Sequence, residues 1–149
     1  MPGSLFDSNV WIAAIFTTHP CHQQAQTALH DATPANPAVF CRSTQQSFLR
    51  LASTPALLKA YGADGLTNRD ALVALDDLLA LAQVCEREEP RGTVALWHRL
   101  ASRDTTSPNV WMDAYLAAFA MSGALCLVTL DRDFKTYEAQ GLDLVLLTA

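Results

Sequence analysis

The stretch Ala124–Phe134, ALCLVTLDRDF, decides the fold. Its apolar and β-branched residues run from Leu125 to Leu130 and give way abruptly to two carboxylates, Asp131 and Asp133. A continuous apolar run this short, bounded by glycine and by charge, predicts a strand that is buried on both faces of a parallel α/β sheet. Sites in such sheets form where the carboxyl ends of the strands open into a crevice. Asp131 is therefore predicted to lie at a candidate site.

The composition is that of an ordinary globular protein. Of 149 residues, 50% are hydrophobic and 17% are charged, which predicts a single domain spanning residues 1–149. No apolar run is long enough to span a membrane, and no secretory signal is visible, so a cytoplasmic protein is expected. The four cysteines include no C-x-x-C pair, which favours reduced thiols over disulfides or a zinc site.

The net charge of −5 limits how the chain can bind a polyanion. Long-range steering of nucleic acid toward such a protein is repulsive. Binding would need a local patch of arginine, or divalent cations that invert the charge of an acidic pocket.

A second carboxylate, Asp7, follows a short apolar run that is predicted to be the first strand. A helix is expected to begin at once, with Ser8 or Asn9 as its N-cap. The alternative for Asp7 is that it caps the helix itself.

A third carboxylate, Asp113, is the single charge in a predicted helix from Val110 to Met121. The helix is apolar nearly all round, which is typical of a buried helix. A lone carboxylate there is costly unless it is paired or holds a cation. The alternative is a structural aspartate that is bonded to an arginine.

The remaining patterns alternate between strands and helices. They predict strands at Ala38–Cys41, Gln83–Cys85 and Leu144–Leu147, and helices at Gln23–Asp31, Gln45–Ala52, Arg69–Leu81, Thr93–Ser102 and Lys135–Gln140. Residues 53–68 are expected to be irregular, and Glu86–Glu89 a solvated turn with no role. The alternation predicts a three-layer α/β/α sandwich around a mainly parallel sheet of four to five strands.

The three carboxylates are predicted to converge. Asp7 and Asp131 each follow a strand, and parallel strands end at the same edge of a sheet. Asp113 opens the helix that feeds the strand ending at Asp131, so it lies at that edge as well. Three acids without histidine or cysteine make an all-oxygen site, which suits Mg²⁺, or Mn²⁺ in its place.

Four segments in order, LFDSNVWI, CRSTQQSFLRLAS, VWMDAYLAAFA and LVTLDRDF, resemble those of the PIN-domain ribonucleases, and most closely the VapC-type toxins of bacterial toxin–antitoxin pairs. The resemblance implies a metal-dependent endoribonuclease that often dimerises and is neutralised by a small antitoxin. On this resemblance Asp7, Asp113 and Asp131 match acidic positions of the family. Asp133 matches a position that is often acidic, and Thr129 a common hydroxyl position.

The chain departs from the family pattern at one position. A glutamate is usual near the start of the helix after the second strand, and no acid occurs between Arg42 and Thr54. The best match is Gln45, with Ser47 as the alternative register. Gln45 is therefore predicted to offer the metal an amide oxygen without charge, and Gln45→Glu to tighten Mn²⁺ binding.

The leading hypothesis is an Mg²⁺- or Mn²⁺-dependent endoribonuclease toxin that acts on RNA as a homodimer with a small cognate antitoxin. Asp7, Asp113 and Asp131 would be catalytic metal ligands, and Asp133 would bind a second ion or orient water. Two alternatives are a catalytically weak or silent PIN-like binding module and a phosphotransfer protein with Asp7 as nucleophile. Possible RNA contacts, all predicted near the carboxyl edge, are Arg42, Arg50, Arg132, Lys135 and Thr129.

Overall fold

Five parallel strands form the sheet of this protein. The computed structural model describes residues 3–148. The strands are β1 (Ser4–Phe6), β2 (Ala38–Phe40), β3 (Val84–Glu86), β4 (Cys126–Thr129) and β5 (Leu144–Leu146). They pair in the order β3-β2-β1-β4-β5, every neighbouring pair being parallel. The predicted α/β/α sandwich is confirmed, and β4 lies inside the sheet with all four of its residues buried.

Helices cover both faces of the sheet because side chains alternate along each strand. Phe6, Phe40 and Val128 point into one core. That core is shared with α1 (Ser8–Ile15), α2 (His22–Asp31), α3 (Arg42–Ala52), α4 (Pro55–Ala60) and α5 (Asn68–Leu79). Leu5 and Leu127 point into the other core, which is shared with α6 (Thr93–Ala101), α7 (Val110–Ser122) and the 3₁₀ helix Arg132–Gln140.

Trp11 fixes the first strand–helix unit. Its fully buried ring stacks on Phe40, with 3.9 Å between ring centroids and planes 8° apart. Its indole N–H donates to the Phe6 carbonyl oxygen at 3.1 Å. Stacking and hydrogen bond together hold α1 against the end of β1, where Asp7 lies.

Some predicted boundaries were wrong. Residues 42–44 are the first turn of α3 rather than a turn before it, and residues 53–68 contain the unpredicted helix α4. The leucine spacing in the predicted helix Arg69–Leu81 predicts that Leu72 faces inward with Leu75, Leu78 and Leu79, but Leu72 is 51% exposed. The predicted burial of α7 fails in its first turn, where Trp111 and Met112 are exposed. Within residues 3–148, no helix is both long and apolar enough to cross a membrane.

Candidate metal centre

The strand order places a topological switch point between β1 and β4. From β1 the chain moves outward to β2 and β3, and it later returns to add β4 on the other side of β1. Crevices at the carboxyl ends of strands open where the order reverses in this way. Asp7 directly follows β1, and Asp131 lies two residues beyond the end of β4. The switch point therefore places both carboxylates at one opening.

Three carboxylates meet there. One oxygen from each of Asp113, Asp131 and Asp133 lies within 4.8 Å of the others. Asp113 and Asp131 are half-buried, whereas Asp133 is exposed. Asp131 also caps the 3₁₀ helix, because its Oδ1 accepts a hydrogen bond from the Asp133 backbone N–H at 2.9 Å. The short turn between these residues thus fixes the spacing of two members of this acidic trio.

Asp7 lies beside the trio and is held by hydrogen bonds from Ser8 and Thr129. Its Oδ1 accepts from the Ser8 backbone N–H at 2.7 Å, and its Oδ2 accepts from the Thr129 hydroxyl at 2.8 Å. Asp7 is thus the N-cap of α1, so the predicted cap at Ser8 or Asn9 was wrong. Asn9 instead accepts from the Leu130 backbone N–H at 3.3 Å, which ties α1 to the segment after β4.

Thr129 links Asp7 to Asp131. While it donates to Asp7, its hydroxyl oxygen accepts from the Asp131 backbone N–H at 3.0 Å. The residue is fully buried. The predicted RNA contact through Thr129 was therefore wrong, because its hydroxyl is out of reach of a ligand. It positions two of the acids instead.

The acids repel one another. Burial, followed by the charges of Asp131, Asp7 and Asp133, raises the pKa of Asp113 to about 6. Burial also raises the pKa of Asp7, although the hydrogen bonds from Thr129 and Ser8 oppose it. In the part of the chain that the structure describes, Asp113 has no salt bridge to an arginine. A cation would relieve this repulsion.

Gln45 lies on the same sheet edge, in the second turn of α3, and is engaged by another side chain. Its Oε1 accepts from Arg42 Nη1 at 3.0 Å, and its buried Nε2 has no hydrogen-bond partner among residues 3–148. Arg42 Nη2 in turn lies 2.8 Å from Glu86 Oε1. A cation would compete with Arg42 for the Gln45 oxygen. Glu86, predicted to have no role, ends β3 and pairs with Arg42.

The predicted cationic contacts are distributed differently. Arg50 lies eight residues after Arg42 on α3, so about 12 Å of helix separate it from the carboxyl edge. Its predicted place at that edge was wrong. Arg132 and Lys135 are exposed on the 3₁₀ helix beside the trio.

Sequence reasoning missed Arg103. A cavity of about 250 Å³ opens beside the acids. Its lining comprises Arg103, Asn109, Val110, Asp113, Asp133, Thr136 and Tyr137. Arg103 is the one basic residue between α6 and α7, and a lone arginine beside Asp104 in a Ser/Thr-rich loop was the available signal.

The donor set fits a hard divalent cation. It consists of carboxylate oxygens, one of them on the exposed Asp133 and one on Asp113, whose pKa is raised by burial and by the neighbouring acids. Such ligands suit Mg²⁺ or Mn²⁺, and the open side leaves room for water and phosphate oxygens.

Comparison with known proteins identifies the family and the fold of the chain. The model of the PIN domain matches residues 4–140. The chain is 42% identical over 148 residues to Ribonuclease VapC41 of Mycobacterium tuberculosis H37Rv, covering 96% of this chain and 97% of that protein. VapBC2 from Rickettsia felis, solved bound to a DNA fragment from their promoter, superposes with a TM-score of 0.65 at 13% identity over 97% and 98% of the chains. Mycobacterium tuberculosis VapC20, a Sarcin-Ricin loop cleaving toxin, superposes with a TM-score of 0.60 at 16% identity. The superposition covers 94% of this chain and 96% of that chain.

Proposed function

This chain belongs to the PIN-domain family and to its VapC-type ribonucleases, and we propose that Asp7, Asp113, Asp131 and Asp133 hold the divalent cation with which it cleaves RNA. It is an endoribonuclease of the toxin class. The observation that supports the metal ligands is the acidic trio, whose oxygens lie within 4.8 Å of one another at the switch point.

Each acid has a distinct part in this site. Asp113, at the start of α7, and Asp131, after β4, form its half-buried floor, and Asp133 faces the solvent side. Thr129 and the Ser8 N–H orient the Asp7 carboxylate. When bound, Mg²⁺ or Mn²⁺ supplies Lewis acidity that lowers the pKa of water and offsets charge on the phosphate. The cavity of about 250 Å³ beside Asp113 and Asp133 gives a phosphodiester access to these oxygens.

RNA cleavage with and without metal tests this function. We expect the purified protein to cut labelled RNA with Mg²⁺ or Mn²⁺ and to stop in EDTA. Asp113→Asn should lower the rate by roughly 100-fold or more, because loss of a direct ligand exceeds the 10- to 100-fold effect of outer partners.

Asp143→Asn is the matched control. Asp143 is an exposed acid that directly precedes β5, at the opposite edge of the sheet, so its loss should leave cleavage unchanged. Equal cleavage in EDTA and in Mg²⁺ would contradict the metal role of the trio.

A silent binding module is disfavoured. Its sequence support is the glutamine at position 45, yet the described structure keeps three carboxylates in range of one cation.

For partners, we propose a homodimer and a small antitoxin that uses the apolar surface of α5. Leu66, Leu72 and Val73 are exposed on or next to that helix, and a cavity of about 330 Å³ separates it from α3. Arg50 lines this cavity beside Leu72. Light scattering should give a dimer mass for the purified protein. A Leu72→Asp variant should be monomeric, and an unchanged mass would contradict the dimer surface.

A further inference from the structure

We infer that a cavity between the end of α6 and the 3₁₀ helix Arg132–Gln140 binds a phosphate monoester, at a position separate from the acidic trio. The cavity has a volume of about 260 Å³. Its polar lining residues are Arg99, Ser102, Arg103, Thr136, Tyr137 and Gln140. The proposed cation site and the proposed partner surface use none of the residues in this set, so the inference goes beyond the proposed function.

Two arginines of this cavity have no acidic partner. Arg99 lies in the last turn of α6, and Arg103 follows the end of that helix by two residues. Both are exposed, and neither forms a salt bridge within residues 3–148. Among the residues that the structure describes, no carboxylate lines the cavity. Two like charges at one cavity repel each other, and a bound anion would offset this repulsion.

Tyr137 forms a fixed base for the cavity. The residue is 3% exposed, and its hydroxyl oxygen accepts a hydrogen bond from Arg103 Nη2 at 3.4 Å. The guanidinium carbon of Arg103 lies 5.8 Å from the centroid of the Tyr137 ring, so the ring also holds the cation in place. Within residues 3–148 the Tyr137 hydroxyl donates to no acceptor. An oxygen of a bound ligand would complete the hydrogen bonding of this buried group.

The chemistry of the lining favours an oxyanion over a cation. A guanidinium can only donate, whereas a hydroxyl or a carboxamide can donate as well as accept. Each of the two arginines can bind a phosphate through two parallel hydrogen bonds. The hydroxyls of Ser102 and Thr136 and the amide of Gln140 add further donors around them. A tetrahedral anion with several free oxygens matches this set.

The number of donors favours a monoester over the phosphodiester of a polynucleotide backbone. A phosphate monoester presents three terminal oxygens and carries a charge of about −1.5 to −2 at pH 7. A backbone phosphate has one terminal oxygen fewer and carries a single negative charge. Two guanidiniums at one cavity match the additional oxygen and the additional charge of the monoester.

The volume limits what the cavity can enclose. Cavities that enclose a whole small-molecule ligand are about 300–1,000 Å³. The cavity of about 260 Å³ therefore holds the phosphate group and leaves the rest of the ligand in solvent. Two sources carry such a group, a free phosphate monoester such as a mononucleotide and the phosphorylated end of an RNA strand.

Arg99 separates this cavity from the proposed cation site. Arg103, Thr136 and Tyr137 also line the cavity of about 250 Å³ that includes Asp113, whereas Arg99 does not. A change at Arg99 therefore tests the phosphate cavity without altering a residue of the cavity beside the acids.

Isothermal titration calorimetry with inorganic phosphate tests the site. The full chain is titrated in EDTA, so that no metal at the acids can recruit the anion, and at constant ionic strength. We expect one phosphate to bind per chain. Arg99→Gln should weaken this binding roughly 10- to 100-fold, because it removes charge-assisted hydrogen bonds. Arg99→Lys should lose less, because it keeps the charge but not the paired donors.

Two further variants provide the base and the control. Tyr137→Phe removes only the hydroxyl and should weaken phosphate binding roughly 2- to 10-fold. Arg69→Gln removes an exposed arginine of α5, on the opposite face of the sheet, and should change nothing. Thermal unfolding of each variant checks that it is folded.

Titrations with other phosphates identify the source of the group. Methyl phosphate should bind at least roughly tenfold more tightly than dimethyl phosphate at neutral pH, since only the first is a monoester. Binding of a 5′-phosphorylated RNA oligomer that is tighter than that of methyl phosphate and is weakened in Arg99→Gln would support the site with an RNA end as its ligand. Equal affinities for methyl phosphate, a mononucleotide and the oligomer would support it with a free monoester as its ligand.

Three outcomes would overturn the inference. They are no binding of phosphate at millimolar concentrations, unchanged binding in folded Arg99→Gln, and equal affinities for methyl and dimethyl phosphate. Unchanged binding in Arg99→Gln would mean an adventitious ion only. All of these titrations are made without divalent metal and without cleavage, so their results do not depend on whether the acidic trio holds a cation.

Discussion

Two regions of the same sheet edge handle charge in opposite ways. After β1 and β4, and among residues 3–148, Asp7 and Asp131 accept hydrogen bonds only from hydroxyl and backbone groups, and burial together with the neighbouring acids raises the pKa of Asp113 to about 6. After β2 and β3, Arg42 joins the Glu86 carboxylate to the neutral amide of Gln45. The first region is the proposed cation site, whereas the second already contains a positive charge, the Arg42 guanidinium.

The comparison shows how the Gln45 position differs from the acidic positions, because Arg42 already donates to the Gln45 oxygen. A carboxylate there would face a guanidinium already held by Glu86. The region beyond β2 therefore carries no net charge, because the Arg42 and Glu86 charges balance and Gln45 is neutral. Cation binding is then expected to depend on the β1–β4 side.

The largest expected effect is on metal binding and on the pH dependence of stability. The pKa of Asp113 is raised from 3.8 to about 6, so the folded protein binds more protons than the unfolded chain between these values. The cost of ionising Asp113 is absent below 3.8, grows through this window and is complete above about 6. Metal-free Asp113→Asn should then be more stable than the parent at neutral pH.

Thermal unfolding in chelator across this range measures the effect. With saturating Mn²⁺ the order should reverse, because the parent binds the ion and the variant loses a ligand. A residual pH slope is expected in the variant, since the pKa of Asp7 is raised too. If the unfolding temperatures of the parent and of Asp113→Asn depend on pH in the same way, the proposed repulsion among the acids is contradicted.

Thr129→Val should destabilise the protein by roughly 1–3 kcal/mol, because the buried Asp7 carboxylate loses a donor and the half-buried Asp131 N–H loses its acceptor. Mn²⁺ affinity should fall with it. Urea unfolding and calorimetry measure the two effects. Thr27→Val, at an exposed position of α2, is the isosteric control and should be neutral. If Thr129→Val is as stable as the parent but binds Mn²⁺ weakly, then Thr129 orients the Asp7 carboxylate without contributing to stability.

Gln45→Glu is expected to change Mn²⁺ affinity only slightly, because Arg42 would pair with the new carboxylate. This revises the expectation from sequence alone. The double change Arg42→Ala with Gln45→Glu should tighten Mn²⁺ by roughly tenfold, about 1.4 kcal/mol. Calorimetric titration with Mn²⁺ measures the affinities of the single and the double variant, and Arg42→Ala is the control. Equal affinities for single and double variants would show that Arg42 does not shield this position.

Glu86→Gln should have the smallest effect. The side chains of Arg42 and Glu86 are 71% and 40% exposed, and exposed pairs contribute about 0–1 kcal/mol. The loss of stability should be smaller still at high salt, because salt screens exposed charges. Glu138→Gln, another exposed acid, provides the reference for thermal unfolding. A large loss of stability would mean that the Arg42 pair holds Gln45 in place.

The sequence predicted the parts of the fold that a local pattern determines. Buried parallel strands have continuous apolar runs, so β4 and the acids that follow it were visible. Helix α4 was hidden because it is six residues long and lies among proline and glycine signals. The exposed Leu72 was misassigned because spacing alone cannot tell a core-facing leucine from one at a partner surface.

At the site, residue types were predictable and pairings were not. The convergence of the acids follows from the parallel strands. The Arg42–Glu86 pair joins residues 44 apart in sequence, and Arg103 approaches through a loop without periodicity. Long-range pairs of this kind depend on tertiary packing, which no local pattern encodes.

The pairing of β1 with β4 also has a consequence for the timing of biosynthesis. Ser4 pairs with Cys126, and Asp7 with Thr129 across 122 residues, so closing this contact carries the entropy of a very long loop. A nascent chain exposes Asp7 early but lacks its Thr129 partner until β4 has left the ribosome. The candidate metal centre is therefore among the last features to form during synthesis, because its residues come together only when nearly the whole chain has been made.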